Sequence, residues 1–162
     1  MKKLYTLLVL LFVSLGAFAQ NSGKALYRKY SDEPGVQAVY ISPSMFRLIG
    51  MIPDVEIGDS NVNLARVIKS MTGFYLISFE DPELGRELSA DVSGLLDRSD
   101  YELMMEVKED GQTVRMYTVS PTEELITSLI MHVRERDETT FISIDGEIDR
   151  LALEELIASA TE

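Results

Sequence analysis

The sequence predicts an α+β fold in which a mixed or antiparallel sheet of about five strands packs against helices. Strand-type and helix-type hydrophobic periods alternate along residues 20–162, which favours a sheet covered by helices. The dipeptide Asp110-Gly111 suits the two-residue turn of a hairpin, a connection that only antiparallel neighbours can use. Alternation of apolar and polar residues over 101–107 indicates that part of the sheet has a single buried face.

The first 19 residues have the three parts of a secretory signal peptide. Two lysines precede an apolar run, and Ala17 and Ala19 provide a small-x-small cleavage signal before Gln20. The run is shorter than the roughly 20 residues of a spanning helix. We therefore expect cleavage after Ala19, which leaves one periplasmic domain over residues 20–162 with no membrane span; an uncleaved anchor is the alternative.

Composition narrows the classes of function. The formal charge is −12, and loss of the two leader lysines would bring it to −14, which disfavours nucleic acid and anionic membranes as partners. The negative charge either keeps the protein soluble or forms an acidic docking surface. The chain has no cysteine, so disulfides, thiol catalysis, cysteine metal sites and a lipid-modified cysteine are excluded.

The first half of the domain alternates short helices and strands. A helical stripe within residues 21–34 predicts a leading helix that the turn at 32–35 ends, and a strand follows over 36–42. Ser42-Pro43 then starts one or two helical turns that Gly50 ends, and their many apolar residues predict burial.

A loop over residues 53–63 leads to the next three elements. Apolar residues at i, i+3, i+4 and i+7 from Leu64 to Met71 predict an amphipathic helix that Gly73 closes. A strand over 73–80 follows. Asp81-Pro82-Glu83 then provides an N-cap, a first-turn proline and a first-turn acid for a helix that reaches about Asp97.

The hairpin around Asp110-Gly111 has one register in which every cross-strand pair is chemically matched. Apolar pairs would lie on the core face of the hairpin, with an acid–base pair and a methionine–tyrosine pair on the other face. The predicted pairs are Val107–Val114, Met105–Met116, Glu106–Arg115 and Met104–Tyr117. A slip of one residue would turn every side chain to the opposite face, so the pattern determines the register.

The remaining residues predict two more helices around a strand. A capping box over 120–123 precedes apolar residues at helical spacing, which predicts a helix to about Arg136 with His132 on its surface. A strand over 139–145 would leave the sheet at Gly146 and lead to a closing helix over about 149–160.

Three groups of acids could suggest catalysis or metal binding. Three acids alternate after the last strand, but glycine comes second where a calcium loop needs it sixth, so we interpret them as a strand-to-helix junction with an N-cap. Three more fall in the loop, where a weak calcium site is the alternative, and three others could supply paired carboxylates for glycoside cleavage. The groups are Asp145, Glu147 and Asp149; Asp54, Glu56 and Asp59; and Glu80, Asp81 and Glu87.

No motif indicates a specific reaction. His132 is the only histidine, so any nucleophile–histidine mechanism depends on it. The chain has no G-x-S-x-G, H-E-x-x-H, Walker A or G-x-G-x-x-G sequence. We therefore predict no catalytic residue, cofactor or metal, and favour a binding domain over a metal-dependent or carboxylate-based hydrolase of the envelope.

The best candidate for a binding surface is the polar side of the hairpin. Met104, Glu106, Arg115 and Tyr117 combine residue types that interfaces enrich, so we expect an envelope protein as partner unless a helical layer covers them. A small-ligand pocket between sheet and helices is the third possibility, and it would be lined by Tyr40, Phe46, Phe74 and Tyr75. The oligomeric state is not indicated.

Three segments together resemble an exported Bacteroidetes family catalogued as domain of unknown function 4252. They are VQAVYISPSMFRLIG, YELMMEVKEDGQTVRMYTV and FISIDGEIDRLALEEL, the last with the phrase Asp145-Gly146-x-Ile148-Asp149. The resemblance covers nearly the whole mature chain and implies no catalytic residues, because the family has no established activity. Many members look like lipoproteins, and this chain departs from them by lacking cysteine, which favours a soluble periplasmic protein.

Overall fold

The computed structural model describes residues 22–49, 64–97, 99–120, 122–152 and 154. Within them, four helices and six strands follow one another in the order α1 Gly23–Tyr30, β1 Gln37–Ile41, α2 Pro43–Ile49, α3 Leu64–Ser70, β2 Met71–Phe79, α4 Pro82–Leu96, β3 Glu102–Glu109, β4 Gln112–Val119, β5 Leu125–Arg134 and β6 Thr139–Asp149.

The strands form one antiparallel sheet in the order β1-β2-β6-β5-β4-β3. The long strands β2, β6 and β5 lie in the middle, and β1 and β3 are the two edges. The α+β class is confirmed, and the sheet has six strands where the sequence predicts about five.

The sixth strand is β5, so the prediction of a helix after the capping box is wrong. Adjacent strand residues point to opposite faces of a sheet, yet Leu129 and Ile130 are 5 % and 0 % exposed. Both faces of β5 are therefore covered, and its apolar residues do not alternate with polar ones. The register of β5 with β6 also shifts between Ile126 and Ser128, which further disturbs the alternation of apolar and polar residues expected of a strand. Apolar spacing of this kind is compatible with a helix, and the sequence pattern alone cannot separate the two.

The main core lies between helices α1 and α4 and one face of the sheet, which we call the α4 face. Buried side chains from both helices meet side chains from β2, β5 and β6 there. The cluster comprises Leu26, Tyr30, Ile77, Phe79, Leu88, Val92, Leu95, Ile130 and Phe141. A smaller cluster joins Val67 of α3 to Ile126, Ile148 and Ala152 near the ends of β5 and β6.

Several predicted elements are confirmed, and besides β5 three others need correction in their bounds or their burial. The leading helix, the first strand, the helix after Asp81 and the hairpin are present. Helix α3 ends at Ser70, before Met71 and Gly73. In α2 only Phe46 is buried among the described side chains, whereas Met45 and Leu48 are exposed.

The last strand does not end at Asp145-Gly146, as the sequence predicts, but continues to Asp149. Gly146 is needed there for close packing: a Cβ at this position would lie 2.5 Å from the carbonyl oxygen of Ser70. Asp149 then accepts a hydrogen bond from the Ala152 amide at 3.0 Å, which confirms its capping role. The described residues after it, 150–152 and 154, are helical; the rest of the predicted closing helix and the loop over 53–63 lie outside the described residues.

Candidate functional site

The acids that alternate at the end of β6 do not come together. Asp145 accepts a hydrogen bond from the Ser128 hydroxyl at 3.2 Å. Because the Ser128 hydroxyl donates its only hydrogen to Asp145, its oxygen accepts a hydrogen bond from the Tyr101 hydroxyl at 2.7 Å. Burial raises the pKa of Asp145. Glu147 is exposed and Asp149 caps the final turn. Asp145 is thus the end of a short Tyr–Ser–Asp chain of hydrogen bonds.

The other acidic candidates show no shared site. The Asp81 carboxylate accepts hydrogen bonds from the amides of Glu83 at 2.7 Å and Leu84 at 3.2 Å, which is the predicted N-cap. Glu80 and Glu87 are exposed. The loop acids Asp54, Glu56 and Asp59 lie outside the described residues. Across the part of the chain that is described, no group of three or more acidic or histidine side chains is placed to hold a metal ion.

His132 is buried, not on a helix surface as predicted, because β5 is a strand whose α4 face is covered. Its Nε2 lies 3.5 Å from the hydroxyl of Ser89, which donates a hydrogen bond to the Gly85 carbonyl at 2.7 Å. Burial, with the charges of Arg134 and Arg115, lowers the pKa of His132 to about 4. A weak base beside a hydroxyl that is already bonded elsewhere is poorly suited to activate a nucleophile.

A polar cleft of about 380 Å³ lies beside this pair, between the start of α4 and the β5–β6 turn. Ser89 lines it together with three arginines and five acids, which leave it with mixed charge. The charged lining residues are Glu80, Asp81, Arg86, Arg134, Glu135, Arg136, Asp137 and Glu138. Opposite charges interspersed in this way do not select a ligand of one sign.

The hairpin has the predicted register over most of its length. Met105 pairs with Met116, Glu106 with Arg115, and Val107 with Val114. The fourth predicted pair is wrong, because the ladder shifts between Leu103 and Met105 and places Leu103, not Met104, opposite Tyr117. A β-bulge of this kind inserts one extra residue and turns the strand.

The four residues predicted as a partner surface have different surroundings. Tyr117 packs against the main core on the α4 face, and Met104 is half-buried at the bulge. Glu106 forms ion pairs with Lys108 at 2.7 Å and with Arg115 at 2.5 Å, and hydrogen bonds from these two cations lower its pKa. Glu106 and Arg115 therefore form an ion pair that is partly exposed to solvent.

The exposed apolar side chains of the hairpin belong to β3. Leu103, Met105 and Val107 are 55 %, 36 % and 44 % exposed. Met105 and Val107 point away from the α4 face, because they alternate with Glu106, whose partner Arg115 pairs with the buried His132. The alternation in the sequence shows which residues share a face; it does not show which face the helices cover. For this reason the sequence assigned Met105 to the core.

The predicted pocket residues also divide between two places. Tyr40 and Tyr75 stack with ring centroids 5.2 Å apart, and Tyr27 of α1 lies 5.6 Å from Tyr75. Phe74 directly precedes Tyr75 in strand β2 and so faces the opposite side of the sheet, while Phe46 is buried on α2. A cleft beside the three tyrosines is lined by Lys24 and Arg28 as well.

Comparison with known proteins gives one result. A family model described as "Domain of unknown function (DUF4252)" matches residues 30–156. No curated protein matches the chain, and no solved structure matches it. Among the described helices, none combines the length and the apolar character needed to cross a bilayer.

Proposed function

Because the chain belongs to the DUF4252 family, whose function is unknown, we propose that it is a non-catalytic binding domain that takes a protein partner along strand β3. The observation that supports this proposal is the row of exposed apolar side chains that Met105 and Val107 form on one face of an edge strand, with Leu103 exposed beyond the bulge. Methionine and other large apolar residues at an exposed position are typical of interface centres rather than of solvated strands.

An edge strand also offers its backbone. The outer side of β3 carries N–H and C=O groups that the sheet does not pair, and an extended segment of a partner can satisfy them. Side chains at alternate positions of that segment would cover Met105 and Val107. The ion pairs of Glu106 and the bulge after Leu103 limit indiscriminate pairing, because charges and bulges at an edge hinder association with other strands.

We further propose that the domain acts in the periplasm after export. The support is the signal peptide pattern, with Ala17 and Ala19 before Gln20 and no cysteine for a lipid anchor. N-terminal sequencing of the protein from a periplasmic fraction tests this: the mature chain should begin at Gln20. Recovery from the membrane fraction with Met1 retained would contradict it.

Photocrosslinking in intact cells tests the binding role. A photoreactive residue replaces Val107 or Met105, and in a control it replaces Leu151, an exposed apolar residue that is not on β3. We expect Val107 and Met105 to capture the same envelope protein, and Leu151 not to capture it. Equal capture from all three positions, or no captured protein from β3, would overturn the proposal.

A substitution tests whether the captured protein contacts the apolar side chains of β3 or is only close to them. Val107→Asp places a charge in the apolar row while the exposed position spares the fold. It should abolish capture from Met105 and leave the melting temperature unchanged, whereas the same change at Leu151 should leave capture intact. Undiminished capture with Val107→Asp would show that the row does not form the contact.

A further inference from the structure

A small cleft lies between α1 and strands β1 and β2, at the edge of the sheet opposite to β3. This cleft of about 120 Å³ is lined by two cationic side chains of α1, Lys24 and Arg28, and by Tyr27, Tyr40 and Tyr75. It is well below the roughly 300 Å³ of a drug-sized pocket. The space suits a compact group rather than a large cofactor.

The aromatic part of the cleft is already ordered. Tyr40 and Tyr75 stack with an interplanar angle of 14°, and Tyr27 is tilted by 43° to Tyr40 at 6.2 Å. Tyr75 is buried, whereas Tyr40 is 48 % exposed. The stack therefore presents an exposed ring next to a tilted one, and aromatic rings favour both offset and tilted contacts with a further ring.

The cationic part is unusual for so acidic a chain. Lys24 and Arg28 are four residues apart on α1, so they lie on the same side of the helix and repel each other. Lys29 and Arg115 each have an acidic partner within 4.0 Å, but neither Lys24 nor Arg28 has one within the described residues. Two positive charges held together without a close acid favour an anionic ligand.

One acid, Asp145, interacts with Lys24 but does not form an ion pair with it. Asp145 is half-buried and accepts the hydrogen bond of Ser128. Burial raises its pKa, and the bond from Ser128 and the charge of Lys24 only partly offset this. Asp145 thus acts on Lys24 over a distance, and Arg28 is exposed and available to a ligand.

We propose that this cleft binds a small aromatic carboxylate, with the ring against Tyr40 and Tyr27 and the carboxylate on Arg28 and Lys24. The planar guanidinium of arginine matches a carboxylate with two parallel hydrogen bonds. This site is separate from strand β3, so the two proposals fail or succeed independently.

Ligand-observed ¹⁹F NMR tests the site, with 4-fluorobenzoate as the probe and 4-fluorobenzamide as its uncharged counterpart. We expect the benzoate to bind and the benzamide to bind about tenfold more weakly or worse, because a charge-assisted hydrogen bond is lost. Equal affinity of the two probes, or no binding of the benzoate at millimolar concentration, would overturn the proposal.

Three variants locate the binding. Arg28→Met and Tyr40→Ala should each weaken the benzoate about fivefold or more. Lys69→Met, which removes an exposed cation from α3, should leave the Kd unchanged. All three positions permit substitution without loss of core, and an unchanged melting temperature checks this. If Lys69→Met weakens binding as much as Arg28→Met, the effect is one of net charge and the site is refuted.

Discussion

The single histidine should make the stability of the protein depend on pH in a defined window. His132 is 5 % exposed, and burial with Arg134 and Arg115 lowers its pKa from 6.5 to about 4. The unfolded chain therefore binds a proton below pH 6.5 that the folded chain does not bind until about pH 4. The folded state therefore has its full stability, as far as His132 is concerned, above pH 6.5. The free energy of unfolding decreases as the pH falls from 6.5 toward 4.

The size of the effect follows from proton linkage. With these two pKa values the free energy of unfolding falls by about 1 kcal/mol at pH 5.5 and by about 2–3 kcal/mol at pH 4.5, relative to neutral pH. Below pH 4 the loss approaches about 3 kcal/mol. Asp145, whose pKa is raised by burial, contributes with the opposite sign as the pH changes, because its folded form binds the proton more tightly.

Urea unfolding of the wild type and of His132→Gln at pH 7.5, 5.5 and 4.5 isolates the histidine. The carboxylates are common to both proteins, so the difference between the two curves reports His132 alone. A ¹H–¹⁵N NMR titration of the one imidazole in the wild type gives the pKa directly, even if the variant unfolds. A midpoint near 6.5, or a wild-type-minus-variant difference that does not change with pH, would refute the placement of His132 in the core.

Three further perturbations test other parts of the structure. Leu88→Ala, at the centre of the main core, should lower the free energy of unfolding by about 2–5 kcal/mol in urea, whereas Leu151→Ala at an exposed position should change it by less than about 0.5 kcal/mol. Gly146→Ala should destabilise by about 1–3 kcal/mol, because its Cβ would meet the Ser70 carbonyl; Glu147→Ala, next to it and exposed, is the control, and equal stability of the two would argue against the close packing. Saturating Ca²⁺ or Mn²⁺ should leave the melting temperature unchanged, whereas a rise would support the metal-dependent alternative.

Local signals in the sequence predict those elements whose determinants lie within a few residues. Asp81 caps α4 by accepting hydrogen bonds from the amides two and three residues later. All the residues that determine this helix start are therefore adjacent in the sequence. Asp110 and Gly111 likewise adopt the positive φ angles that the turn needs. The sequence predicts that Tyr40 and Tyr75 line one pocket, but no spacing in the sequence places Tyr27 beside them, because the three side chains come from three elements.

The position of the partner surface depends on the element that sequence patterns could not identify. As long as residues 125–134 are taken as a helix, nothing fixes which face of the hairpin that helix covers, and the apolar side chains of Met105 and Val107 are taken as core. Once β5 is a strand, its register with β4 decides the matter: Ile130 pairs with Tyr117 and His132 with Arg115. Ile130 belongs to the core beneath α4, so Tyr117 must face the same helix. Since neighbouring residues alternate, Met105 and Val107 then point away from α4, at the edge of the sheet where a partner strand can reach them.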